Sequence, residues 1–280
     1  MQQAYLQATS SAASFMELGM PSAARWPLNS AALALALAGI GDKALETLAE
    51  IDAMNLPIDC EYEVEITQAR AWASAAAGDL GAARQHLESA VQFGLDVGDL
   101  LGATRALHGL ARMDRAAQAA EVVNGIAQQV DGDMAAASVA YIRAAAARDP
   151  RALELAASGF EVLGANLSAA EALVEAAVTF RKDGHVREGT AAQHKAARLL
   201  ARCEGAVTPF VRSVDARAQL TPAELDTALQ AAAGSTDKQI AELMHLSVRT
   251  VENRLHRCYQ KLGISQRREL PDALRDLPQG

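Results

Sequence analysis

The chain has 280 residues, half of them hydrophobic but only 4% aromatic, and 63 are alanine. That length suits about two domains, and alanine-rich, aromatic-poor text favours closely packed helices over an all-β fold. Three widely spaced cysteines, Cys60, Cys203 and Cys258, make neither a disulfide framework nor a zinc site, and a net charge of -8 argues, as an average, against a nucleic-acid binder. The N-terminal text MQQAYLQATSS has no basic region before an apolar run, so it is not a secretory signal. The most apolar stretch, Ala31 to Ile40, is too short to cross a bilayer. A soluble, cytoplasmic protein with no membrane partner is the expectation.

Turn signals recur along the first two hundred residues: Gly41-Asp42-Lys43, Gly78-Asp79-Leu80, Arg115-Ala116-Ala117, Asp149-Pro150-Arg151 and Gly184-His185-Val186. Aligned on Ala44, Ala82, Ala117, Ala152 and Gly189, they stand 38, 35, 35 and 37 residues apart. That is close to the period of helix-turn-helix solenoids. Apolar residues between them repeat at three and four, as in Leu45, Leu48, Ile51 and Leu87, Val91. Small residues at Ala82, Ala83 and Ala117 let neighbouring helices approach. The stretch from about 20 to 205 resembles tetratricopeptide-type repeats, and a generic array of alanine-rich helical hairpins fits the same text. A solenoid offers a concave surface to a peptide, protein or small ligand. Trp26, Tyr62, Trp72 and Tyr141 are aromatic candidates for that surface, although single aromatics at helical spacing are more often core.

Residues 206–218 read as a linker between a repeat domain over 1–205 and a second domain over 219–280. Gly205, Thr208 and Pro209 break the helical pattern, while Phe210, Val211 and Val214 point to packing on something. Charge divides nearby. Residues 217–280 hold nine Lys+Arg and eight Asp+Glu, against 17 and 26 in the rest of the chain. The acidity belongs to the first part alone.

The last sixty residues read as short, well-capped helices. Thr221-Pro222-Ala223-Glu224 is a capping box with proline at the first helical position, Leu225 and Leu229 face inward, and Gly234 ends the helix. Thr236 to Gln239 is a second capping box, with Ile240, Ala241 and Met244 inside. His245-Leu246 makes a tight turn, and Ser247 caps a third helix from about Val248 to Leu262, closed by Gly263. Stepping about 100° per residue places Val248, Val251, Leu255, Cys258 and Leu262 in one apolar stripe. Arg249, Asn253, His256, Arg257 and Gln260 fall opposite, with Arg254 and Lys261 on one flank. From Ser247 to Arg268 there are six Lys+Arg and one acid, Glu252. That pattern suits a recognition helix: cations for phosphates, Asn253 for a base edge such as adenine, Arg249 or His256 for base acceptors, and Glu252 for cytosine.

The texts LTPAE at Leu220–Glu224 and STDKQIAELMHLSVRTVENRLHRCYQKLGI at Ser235–Ile264, with Arg267 beyond, resemble the LuxR-type DNA-binding domain. The resemblance implies a four-helix output module of bacterial transcription regulators, giving an all-α chain overall. It assigns phosphate contacts to Lys238, Arg249 and Thr250, and base-facing positions to Glu252, Asn253 and His256. Arg257 and Lys261 are further backbone candidates, Ser247 the cap, and Arg254 stands where a histidine is common. A fourth helix from about Gln266 carries the dimer contact in such modules, here Leu270, Ala273 and Leu274. Pro271 departs from the pattern, since proline inside a helix kinks it, so the helix is short or restarts there.

The sensor half resembles the C-terminal part of the large ATP-binding LuxR regulators of the maltose-regulator type. The residues concerned are Phe160 to Ala165, Ala169-Ala170-Glu171-Ala172, and Ala201 to Ala206 with Thr208-Pro209. Those regulators carry a nucleotide-binding domain, yet this chain has no GxxxxGK[ST] loop and no Gly-Lys dipeptide. The expectation is a natural short form, a misplaced start or a fragment, which does not hydrolyse ATP. No HExxH, no GxSxG and no metal-ligand spacing is present, so no catalytic, cofactor-binding or metal residue is named and an enzyme is not expected. His185 and His194 read as surface residues, and Cys203 and Cys258 as small inward-facing residues of helices. The partners expected are duplex DNA, a small molecule or protein on the repeats, RNA polymerase, and a second copy of the chain on DNA. The competing reading is a repeat scaffold for protein binding, with a non-essential DNA-binding module.

Overall fold

The computed structural model describes residues 1–57, 62–211, 220–262, 264 and 266–275. The chain is all-α, with no strand among the described residues. It divides into two compact units, Met1–Pro209 and Phe210–Gly280. Among the described residues no helix is long and apolar enough to cross a membrane.

The first unit opens with α1 (Gln2–Glu17) and continues as five helical hairpins. These are α2 (Pro21–Leu37) with α3 (Gly41–Ala53), α4 (Glu63–Ala76) with α5 (Leu80–Val97), and α6 (Leu100–Leu110) with α7 (Ala116–Ile126). Then come α8 (Asp133–Ala147) with α9 (Pro150–Val162), and α10 (Asn166–Lys182) with α11 (Val186–Leu200). Each helix packs chiefly on its chain neighbours, as in an array.

The reason for the period is the hairpin turn. In every hairpin one residue takes left-handed backbone, two positions before the second helix: Gly39, Gly78, Asp114, Arg148 and Gly184. Four of the five share a bonding pattern that satisfies the exposed carbonyls of the first helix. Ile40 N–H donates to Leu35 O, Asp79 to Ser74 O, Asp149 to Ala144 O and His185 to Phe180 O, at 2.8–3.0 Å. Asp79 and Asp149 then cap the second helix through their carboxylates.

Five residues after each left-handed position stands a buried residue: Ala44, Ala83, Ala119, Leu153 and Gly189. These are the equivalent positions, and they correct the alignment on Ala82, Ala117 and Ala152 by one or two residues. Ala117 is exposed, whereas Ala119 is buried. Leu45 also turns outward, leaving Leu48 and Ile51 in the core. Close approach explains the small side chains. A Cβ on Gly189 would lie 2.9 Å from the Ala177 carbonyl oxygen of α10.

The polypeptide leaving α11 does not depart at once. Cys203 lies buried in the turn after α11, not within a helix as expected, with its thiol toward Leu199 O. Ala206 and Thr208 are buried, and Val207 N–H donates to Leu37 O at 2.7 Å. The first residues of the expected linker are therefore packed on the array, and 212–219 lie outside the described residues, as does Cys60. Of the aromatic candidates, Trp72 and Tyr141 are core, while Trp26 is half-exposed against Tyr62. His185 and His194 are exposed.

The second unit has its own core, built from α12 (Pro222–Ala232), α13 (Asp237–Leu243), α14 (Val248–Leu262) and the short α15 (Leu270–Arg275). Ala228, Ala231, Ile240, Ala241, Val251, Leu255, Cys258, Leu270 and Leu274 meet at its centre. Leu229, expected inward, is 48% exposed, because α12 turns Glu224, Thr227, Ala228 and Ala231 to the core instead.

Candidate nucleic-acid interface

The interface is built from its caps upward. Thr221 and Glu224 bond reciprocally at the start of α12, and Thr236 and Gln239 do the same at α13. Between α13 and α14 the chain reverses through His245 in left-handed backbone, with Leu246 N–H donating to Ala241 O at 2.8 Å. Ser247 Oγ then accepts from Thr250 N–H at 3.1 Å and lies 2.7 Å from the Thr250 hydroxyl. Two helices joined by a few fixed residues, the second one longer, make a helix-turn-helix.

Helix α14 divides by side. Val251, Leu255 and Cys258 are buried, the Cys258 thiol 3.3 Å from Glu224 O. Arg249, Glu252, Asn253, His256 and Arg257 are exposed, and Arg254 and Thr250 half-buried. Among the described residues, Arg249, Arg254 and Arg257 have no carboxylate partner within the chain. Lys238 is exposed on the first turn of α13. The side chain of Lys261 lies outside the described residues. Val248, placed in the apolar stripe by its angle, is 40% exposed, because it stands at the first residue of the helix, beyond the edge of the core.

One tie was not legible. Arg267 lies in a short turn of helix before α15, and its guanidinium bridges Asp237 and the Ser235 carbonyl. It clamps the start of α13 from thirty residues away. Nothing in local spacing signals such a bond.

The fourth helix is short, as Pro271 suggested, and starts later than Gln266. It begins at Leu270, which places Pro271 in its first turn where proline is tolerated. Leu270 and Leu274 are buried in the unit's own core, and Ala273 is half-buried. The two leucines named as dimer contacts thus help to hold α15 in the core of its own unit, while Ala273 and Pro271 are half-buried.

Residues 218–273 match the family model described as bacterial regulatory proteins, luxR family. This segment is a luxR-family helix-turn-helix domain. No curated protein and no solved structure gives a significant match to the chain. Within that domain α14 is the second helix of the helix-turn-helix, with Arg249, Glu252, Asn253 and Arg257 exposed and Val251, Leu255 and Cys258 in the core.

Proposed function

We propose that the chain is a sequence-specific, DNA-binding transcription regulator whose helical array, read as tetratricopeptide-like, receives a ligand or protein signal. The observation that carries the reading is the exposed side of α14, where Arg249 and Arg257 have no carboxylate partner among the described residues and stand beside Asn253 and Glu252. Unpaired guanidinium groups on a rigid helix neutralise phosphates, and an amide between them reads a base edge. In this reading Lys238, Arg249, Thr250, Arg254, Arg257 and Lys261 contact the backbone. Glu252, Asn253 and His256 face bases, and Ser247 positions them by holding the helix end. The cytoplasm, RNA polymerase as a partner and a second copy on DNA belong to the same proposal.

The test is duplex binding by the full chain, using DNA selected from a random pool, between 50 and 300 mM salt. Affinity should fall by a factor on the order of 10² to 10⁴ over that range if several phosphates are neutralised. Lys261→Ala should weaken all sequences alike. Asn253→Ala should cost about 1–3 kcal/mol at one base pair and relax the preference there. Binding that ignores salt, or an Asn253→Ala profile identical at every position, would defeat the assignment. A protein-binding scaffold with a non-essential module would show neither effect.

A further inference from the structure

The described residues include a buried polar cluster that the reading above does not use. Arg112, at the α6–α7 turn, pairs with Glu171 of α10 and lies over the Trp72 ring of α4, 4.2 Å from its centroid. Both charged side chains are more than nine-tenths buried. Into this cluster comes Thr208, whose hydroxyl donates to Glu171 Oε1 at 2.6 Å and which is 1% exposed. One residue earlier, Val207 N–H donates to Leu37 O at the end of α2. The segment leaving α11 thus touches the fifth hairpin through one residue and the first through its neighbour. Glu171 Oε2 is buried with no hydrogen-bond partner. A buried carboxylate with one oxygen unmet is an expensive group, so the Thr208 bond matters to it.

The geometry points to a latch: Thr208 on Glu171, with Val207 on Leu37, holds residues 203–209 against the array and so sets how far the DNA-binding unit can reach from it. The inference rests on the proposed DNA-binding function. Its physical basis is reach and charge. Residues 1–209 hold 16 Lys+Arg and 25 Asp+Glu, a strongly acidic body. DNA is a polyanion, so a shorter connection between that body and the basic α14 works against binding by limiting how far bound DNA can stand from the negative charge. Release adds seven residues to the tether, up to roughly 25 Å when extended. That exceeds the screening length of about 8 Å at physiological salt. Opening the latch should therefore tighten DNA binding, most of all at low salt.

The experiment compares the full-length wild type with Thr208→Val, which keeps shape but loses the hydroxyl, and with Thr208→Ser, which keeps the hydroxyl. Amide hydrogen exchange reads the latch, and affinity for pool-selected duplex DNA reads the consequence. Thr208→Val should speed exchange at Val207 by about tenfold or more, as loss of a hydrogen bond to a charged group predicts. It should tighten DNA binding by roughly fivefold at 50 mM salt, with the gain fading by 300 mM as screening removes the repulsion. Thr208→Ser should match the wild type in both. Unchanged exchange at Val207 in Thr208→Val would overturn the latch. Faster exchange with unchanged low-salt affinity would overturn its control of DNA binding. Absence of DNA binding by every protein, wild type included, would defeat the proposed function and the control with it, while exchange still judges the latch.

Discussion

His108 lies buried between two aromatic rings, edge-on to Tyr141 at 4.8 Å and stacked on Phe160 at 5.2 Å. Burial, reinforced by the Arg112 charge, pulls its pKa down to about 3. The unfolded imidazole titrates near 6.5, so protons favour the unfolded chain. Stability from this site is complete above about pH 6.5 and falls as pH drops toward 3, by up to about 1.4 kcal/mol per pH unit. Glu175 runs the opposite way. Burial raises its pKa, partly offset by the Tyr141 hydroxyl that donates to it, so stability returns as pH falls through that raised value. Both tryptophans, Trp26 and Trp72, lie in the first unit, so their fluorescence reports the array alone. Urea unfolding followed this way should weaken between pH 7.5 and 5.0 in the wild type and stay flatter in His108→Phe. Equal losses in both would place the acid sensitivity elsewhere. None of this was legible at residue scale, since His108 meets Tyr141 and Phe160 only where the third and fourth hairpins pack. The inward stripe of α14 was legible, because Val251, Leu255 and Cys258 lie on one helix with a fixed angular step.

At the scale of elements, the hairpin turn decides where a helix begins and which residue it buries. Gly41 opens α3 against the end of α4, where an added Cβ would lie 2.3 Å from Ala77 N and 2.7 Å from Ala76 C. Backbone atoms cannot swing aside, so Gly41→Ala should cost about 1–3 kcal/mol by overpacking. Gly125, inside α7, has nothing within 4 Å of the same position. Gly125→Ala should stabilise by roughly 0.5 kcal/mol through helix propensity alone. Tryptophan-monitored urea midpoints separate the two, and a harmless Gly41→Ala would refute the close approach. The existence of five turns could be seen from the sequence, but their register could not. Glycine marks the left-handed position at 39, 78 and 184, whereas Asp114 and Arg148 occupy it in the third and fourth hairpins. An alignment led by alanines slips there, since alanine is everywhere in this chain. The burial of Leu270 and Leu274 in their own unit was not legible for a related reason. Spacing shows that two leucines share a face, but not whether α12 or another molecule covers it.

For the whole molecule, two units with separate cores should respond separately. DNA at a hundred times its dissociation constant should stabilise the second unit by about 2.7 kcal/mol. The tryptophan-monitored transition of the array should move by much less. A circular-dichroism melt, which sees both units, would then show one component shifting. A fluorescence transition that follows DNA as strongly would reveal a single cooperative body instead.

The bond from Val207 to Leu37 has a kinetic meaning as well. Hairpins in the array close over about 35 residues, so their contacts form locally and quickly. The Val207 bond instead joins residues about 170 positions apart. Closing that longer loop costs about 1.4 kcal/mol more in chain entropy than closing a hairpin-sized one. The segment leaving α11 should therefore dock after the hairpins have stacked, and leave before they come apart. On refolding, protection at Val207 should appear as the last phase, which pulse-labelled exchange can time.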